Sequence, residues 1–107
     1  MHLFVYGTLM DQSLVTELTC QTFTTSPAVL QDFKKLVSHL GYPYVLPYPA
    51  SKVNGLLIKN IDPESIKKLD RYEGEGQFYS RKKVDAVCTG EWVACEAYVG
   101  NRKTLNP

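Results

Sequence analysis

The sequence has no excess of charge of either sign. Lys and Arg total 12 and Asp and Glu 11 in 107 residues, which leaves a formal net charge of +1. A nucleic-acid backbone binder or a polybasic membrane anchor normally carries a clear basic excess, so neither class fits. No apolar run approaches the ~20 residues of a membrane-spanning helix. The first apolar stretch, Leu3 to Tyr6, is too short for a signal peptide and has no basic region before it. Repeats, low-complexity tracts and linkers are absent, and so are the glycine-rich phosphate-binding patterns GxxxxGK[ST] and GxGxxG. There is no CxxC. Cys20, Cys88 and Cys95 are an odd number, and His2 and His39 lie far apart in sequence, so no four-ligand zinc site is expected. The three cysteines read as buried free thiols in a reducing cytoplasm.

What is present describes one domain over residues 1–107. The chain is 44% hydrophobic and 21% charged, an ordinary globular balance. A chain of this length buries roughly two thirds of its unfolded surface and needs no disulfide or metal to fold. Seven tyrosines are a high share. Tyrosine gives a pocket an apolar wall with a hydrogen-bonding tip.

His2 to Tyr6 is β-branched and aromatic and reads as a short buried strand. Gly7-Thr8-Leu9 then turns the chain, and Asp11 caps a helix with Leu14, Val15 and Leu18 on one face. In such a strand–turn–helix start, backbone N–H groups can converge on an anion, although most such turns only connect elements. Ala28 to Leu40 is ambiguous. Leu30, Phe33, Leu36, Val37 and Leu40 fit a helical stripe, which periodicity slightly favours. Val29 to Val37 also fits a strand with an irregularity near Asp32. Gly41 to Pro49 has three prolines and three tyrosines and reads as a stiff extended loop across the sheet surface, or else as an aromatic wall beside a site. Val53 to Ile58 reads as a strand, with Gly55 where another backbone comes close.

Asp62-Pro63-Glu64 is a strong helix start, and the helix it opens stops before Gly74. Ile66, Leu69 and Glu73 fall at i, i+3 and i+7, which turns Glu73 toward the apolar side. Phe78 to Val87 and Glu91 to Val99 read as an antiparallel hairpin about Cys88-Thr89-Gly90. Within it Glu96 is expected to pair across the strands with Lys82 or Lys83. The order β-α-β-β-α-β-β suggests an α+β fold with a curled, mainly antiparallel sheet and two short helices.

A carboxylate facing an apolar stripe is a chemical signal, because desolvation raises its pKa toward the range of useful proton transfer. Against this, a glutamate at a helix end most often reaches solvent or pairs with a neighbouring cation. Glu75, between two glycines, is the competing acid.

Several stretches in order resemble one family. Phe4-Val5-Tyr6-Gly7-Thr8-Leu9, Tyr42-Pro43 with Val53-Asn54-Gly55, Leu69-Asp70-Arg71-Tyr72-Glu73-Gly74 with Tyr79-Ser80-Arg81, and Ala97-Tyr98-Val99 together resemble the gamma-glutamylcyclotransferase family and its AIG2-like, gamma-glutamylamine cyclotransferase-like branch. The resemblance covers essentially the whole chain. It implies an α+β fold in which the curled sheet forms a barrel-like cavity, and it makes Ala28 to Val37 a strand. It implies a reaction in which the substrate's α-amine attacks its own γ-carbonyl, releasing 5-oxoproline and a free amine. Glu73 matches the family's catalytic acid/base. Tyr6, Gly7, Thr8 and Leu9 match its substrate-binding turn, and Tyr79 and Tyr98 match cavity tyrosines. No metal or cofactor is expected, because the nucleophile is already tethered to the electrophile. The expected partner is a small gamma-glutamyl molecule, with neither nucleic acid nor membrane, for a cytoplasmic monomer or homodimer. Some members lack the glutamate, and this sequence retains it, which favours an enzyme. A non-catalytic ligand-binding module on the same fold is the alternative, since fold does not fix function.

Overall fold

The computed structural model describes residues 1–105. Five strands close into a barrel in the order β1-β3-β2-β4-β5. They are β1 (Leu3–Val5), β2 (Thr25–Val37), β3 (Pro43–Ile58), β4 (Tyr79–Cys88) and β5 (Glu91–Gly100). All neighbours run antiparallel except β1 and β5, whose parallel pairing completes the ring. Helices α1 (Gln12–Thr19) and α2 (Pro63–Glu73) are the two expected from the sequence. A 3-10 turn over Thr8–Met10 and a four-residue helix α3 (Arg102–Leu105) add to them. Among the described residues no helix is long and apolar enough to cross a membrane.

The two-residue period of the strands sorts the core into two parts. Phe4, Leu30, Val45, Leu57, Ala86 and Ala97 belong to a cluster of strand residues that fills the barrel. Leu3, Val5 and Ile58 point the other way and pack with Val15, Ile66, Leu69 and Leu105 from the helices. Strand β1 is therefore buried on both faces, which explains its continuous apolar run. Gly55 lies where expected. A Cβ there would collide with the Val5 carbonyl and sit 2.7 Å from the Phe4 ring.

Both helix starts follow from their caps. The Asp11 side chain accepts from the Ser13 N–H at 3.0 Å, and Asp62 accepts from the Ser65 N–H at 3.1 Å. Helix α2 ends at Gly74, whose φ of 66° is left-handed. An added Cβ there would also meet the Phe78 ring at 2.7 Å.

The structure corrects four details. Ala28 to Leu40 is not a helix: residues 25–37 form β2, with its irregularity at Asp32 (φ 61°). Pairing with β3 along nearly all of its length outweighs the helical stripe, and the Asp32 side chain ties the bulge by accepting from the Ala50 N–H at 3.0 Å. Gly41 to Pro49 is not a loop, because β3 begins at Pro43 and pairs Pro43 with Val37 and Pro47 with Phe33. There β3 has β2 as a neighbour on one side, and Pro43 and Pro47, four residues apart, direct their missing donors to the open edge. Glu96 does not pair with Lys82 or Lys83. It accepts from Arg81 at 2.8 Å, since Arg81 lies diagonally across the hairpin on the same face and both lysines are exposed. Of the three free cysteines, Cys88 and Cys95 are buried as expected, but Cys20 is exposed, because it occupies the left-handed C-cap of α1.

Candidate active site

Where β1 ends, the chain leaves the barrel through Tyr6-Gly7 into the Thr8–Met10 turn, and the C-terminal end of α2 faces this exit. Between them lies a cavity of about 310 Å³. Glu73, Tyr6, Gly7, Thr8, Leu9, Tyr79 and Tyr98, the seven residues singled out from the sequence, all line it. Tyr42, Pro43, Tyr72 and Phe78 line it too, with Phe4 and Val5 behind them.

Glu73 is half-buried, and among the described residues its carboxylate has neither a hydrogen-bond donor nor an ion-pair partner. Burial alone pushes it from its ordinary 4.5 up to about 7. A nearby cation would have pulled it the other way. Glu75 differs in both respects: it is exposed, and its carboxylate accepts from the Arg81 N–H at 3.3 Å. The cavity thus contains a carboxyl group poised to gain or lose a proton near neutrality.

The backbone N–H groups of Gly7, Thr8 and Leu9 have no acceptor among the described residues. The turn is held by its own Met10 N–H to Gly7 carbonyl bond at 3.0 Å and by the Lys35 ammonium, which donates to the Tyr6 carbonyl at 3.3 Å.

The three inner tyrosines have their hydroxyls occupied. Tyr6 donates to the Tyr98 carbonyl at 2.6 Å, Tyr79 to the Pro43 carbonyl at 2.6 Å and Tyr98 to Asp70 at 2.7 Å. Burial holds all three in the neutral form. It pushes Tyr79 up to about 12 and Tyr6 and Tyr98 well above the usual phenol range, with the Asp70 carboxylate adding to the effect at Tyr98.

Behind the cavity, Asp70 on α2 meets Arg81 on β4 in a two-pronged pair at 2.8 and 3.0 Å. The same guanidinium donates to Glu96 on β5, so one arginine joins the helix that carries Glu73 to two barrel strands. Neither Asp70 nor Arg81 stood out as a functional residue in the sequence, although both lie in the quoted motif. Tyr72 and Phe78 carry no functional signal in the sequence either. Tyr72 falls one position before Glu73 on an exposed helix face, and Phe78 reads as the first residue of a strand.

The family model for gamma-glutamyl cyclotransferase, AIG2-like proteins matches residues 3–107. AIG2-like protein C of Arabidopsis thaliana is 35% identical over 104 residues, which cover 94% of this chain and 59% of that protein. The chain thus spans about three fifths of that relative's length. A solution structure of an Arabidopsis thaliana protein superposes with a TM-score of 0.83 at 27% identity, over 96% of this chain and 66% of the other. A structure of a gamma-glutamyl cyclotransferase superposes with a TM-score of 0.77 over 94% of this chain and 66% of the other, and at 19% identity that likeness concerns the fold. With the family model spanning nearly every residue and the closed barrel shared by these structures, the chain belongs to the AIG2-like gamma-glutamyl cyclotransferase family.

Proposed function

We propose that the protein is a gamma-glutamyl cyclotransferase that converts a small gamma-glutamyl amine or amino acid to 5-oxoproline and a free amine. The observation that carries this reading is Glu73, a cavity carboxyl without a cationic partner among the described residues, pushed up to about 7 by burial and placed beside the open N–H groups of the 7–9 turn. Membership of the family supports it.

The chemistry asks little else of the protein. The substrate's α-amine enters as an ammonium and cannot attack. The Glu73 carboxylate takes one of its protons. The freed nitrogen adds to the γ-carbonyl carbon and closes a five-membered ring. As the bond from that carbon to the leaving nitrogen breaks, Glu73 returns the proton to that nitrogen, and the second proton of the ring nitrogen passes to the departing amine, which leaves as an ammonium while the ring keeps one lactam N–H. No water is consumed, and the carboxylate is regenerated. The backbone N–H groups of Gly7, Thr8 and Leu9 receive the negative charge of the substrate. Tyr6, Tyr79 and Tyr98, tied to protein partners, hold the wall in place, and Tyr79 and Tyr98 shape the substrate's bed. Three free thiols suit a reducing compartment, so we place the protein in the cytoplasm.

The test is to incubate the purified protein with gamma-glutamyl amines and gamma-glutamyl dipeptides and assay 5-oxoproline. Product from at least one member of the panel is expected. Saturable binding without product would instead identify a ligand-binding module.

A further inference from the structure

We propose that Tyr42, Tyr72 and Phe78 form a subsite for the leaving amine, and that this amine is apolar and bears an aromatic ring, an arylalkylamine without a carboxylate of its own. The inference rests on the cyclotransferase reading and names the substrate class it leaves open.

The reaction fixes which way the substrate lies. Its α-amine must reach Glu73 and its charged head must meet the 7–9 turn, so the substituent on the leaving nitrogen points out of the cavity. The burial gradient marks that exit. Tyr6, Tyr79 and Tyr98 are 6%, 7% and 3% exposed, whereas Tyr42 and Tyr72 are 50% and 43% exposed. The outgoing substituent therefore meets Tyr42, Tyr72 and half-buried Phe78.

This rim is pre-formed. Tyr42 and Phe78 meet edge to face, with ring centroids 6.1 Å apart at 79°. Phe78 packs over Gly74, and the Tyr72 hydroxyl donates to the Thr8 hydroxyl at 3.3 Å. Rings already fixed in place lose little freedom when a ligand covers them, and half of each exposed tyrosine remains available to bury. The polar tips of the wall are largely occupied by protein partners, so the exit presents ring faces and edges. Among the described residues lining the cavity none is cationic, and Glu73 itself repels a second carboxylate.

The experiment measures kcat/KM for 5-oxoproline release from gamma-glutamyl-phenethylamide, gamma-glutamyl-methylamide and gamma-glutamylglycine. The phenethylamide is expected to exceed each of the others by at least about tenfold, the scale of one or two aromatic contacts. In Tyr42→Ala and in Phe78→Ala that ratio shrinks to within about threefold, chiefly through a higher KM for the phenethylamide. Because each variant is judged by a ratio between its own substrates, partial loss of folded protein does not imitate the result. Turnover of all three at similar rates, or a preference for the glycine conjugate, overturns the aromatic subsite and leaves the cyclotransferase reading standing. No 5-oxoproline from any of the three, with the protein folded, overturns both.

Discussion

Glu73 carries two opposed demands. As a base it must be ionised, and as a half-buried group it resists ionisation. Its displacement to about 7 gives two pH dependences of opposite sign. Activity requires the carboxylate, so kcat/KM is expected to fall about tenfold per pH unit below about 7. Stability runs the other way. Below pH 4.5 the group is neutral in both the folded and the unfolded chain. As pH rises the unfolded chain ionises first, so the folded state loses stability until pH passes about 7. The loss is at most about 3 kcal/mol, reduced by the part of the side chain that solvent reaches. Glu73→Gln removes this dependence. Urea titrations at pH 4 and pH 8 should therefore show the variant gaining on the wild type at the higher pH. An equal difference at both would contradict the burial argument.

The same residue shows what a sequence can and cannot disclose. A helical register was enough to turn Glu73 toward the apolar side, because α2 has an unambiguous start at Asp62-Pro63 and a stop at Gly74. Its lack of a cation partner among the described residues was not legible. Lys67, Lys68 and Arg71 are all near in sequence, and only the folded chain shows that none of them reaches it.

At the scale of elements, the joint between α2 and the barrel matters most. Asp70 and Arg81 lie 11 residues apart across the bend that reverses the chain after α2, and their two-pronged contact fixes the helix end that presents Glu73. A lysine at position 81 keeps the charge but cannot hold Asp70 and Glu96 together in one plane. Arg81→Lys is expected to cost about 2 kcal/mol, seen as a fall of roughly 10 °C in Tm. An unchanged Tm would show that the pair contributes nothing to the joint. Gly74→Ala should also destabilise, by about 1–2 kcal/mol for the left-handed backbone alone, and should displace Phe78 from the cavity rim. Chemical denaturation measures the first effect and the fluorescence of the rim tyrosines reports the second. Elements with their own punctuation, such as the β4–β5 hairpin about Thr89-Gly90 and the two capped helices, were readable from the sequence. The β2–β3 pair was not. Its prolines and its helix-like stripe speak for loop and helix, and pairing between residues as far apart as Thr25 and Ile58 decides the matter instead.

For the molecule as a whole, closure of the barrel makes the site. Strand β1 is three residues long, yet it joins β3 to β5 and delivers the Tyr6–Leu9 turn to the barrel end where α2 terminates. Tyr6 and Leu9, both buried, anchor the two ends of the turn that follows it. The ordered motifs pointed to the barrel and to seven of the residues around the cavity. Of the aromatic exit only Tyr42 had a sequence signal, the aromatic-wall reading of residues 41–49; Tyr72 and Phe78 had none, because the three come from separate segments and only the fold brings them together. The relatives extend beyond the length matched here, whereas the acid, the turn and the exit all lie within this chain.

The central claim is that Glu73 moves the proton that lets a gamma-glutamyl substrate close on itself. The most direct test is 5-oxoproline release at pH 7.5 by wild type and Glu73→Gln, side by side, with folding verified by circular dichroism. The account predicts steady product from the wild type and a rate lower by about 10²–10⁴-fold in the folded variant. A folded Glu73→Gln that releases 5-oxoproline at the wild-type rate would contradict it.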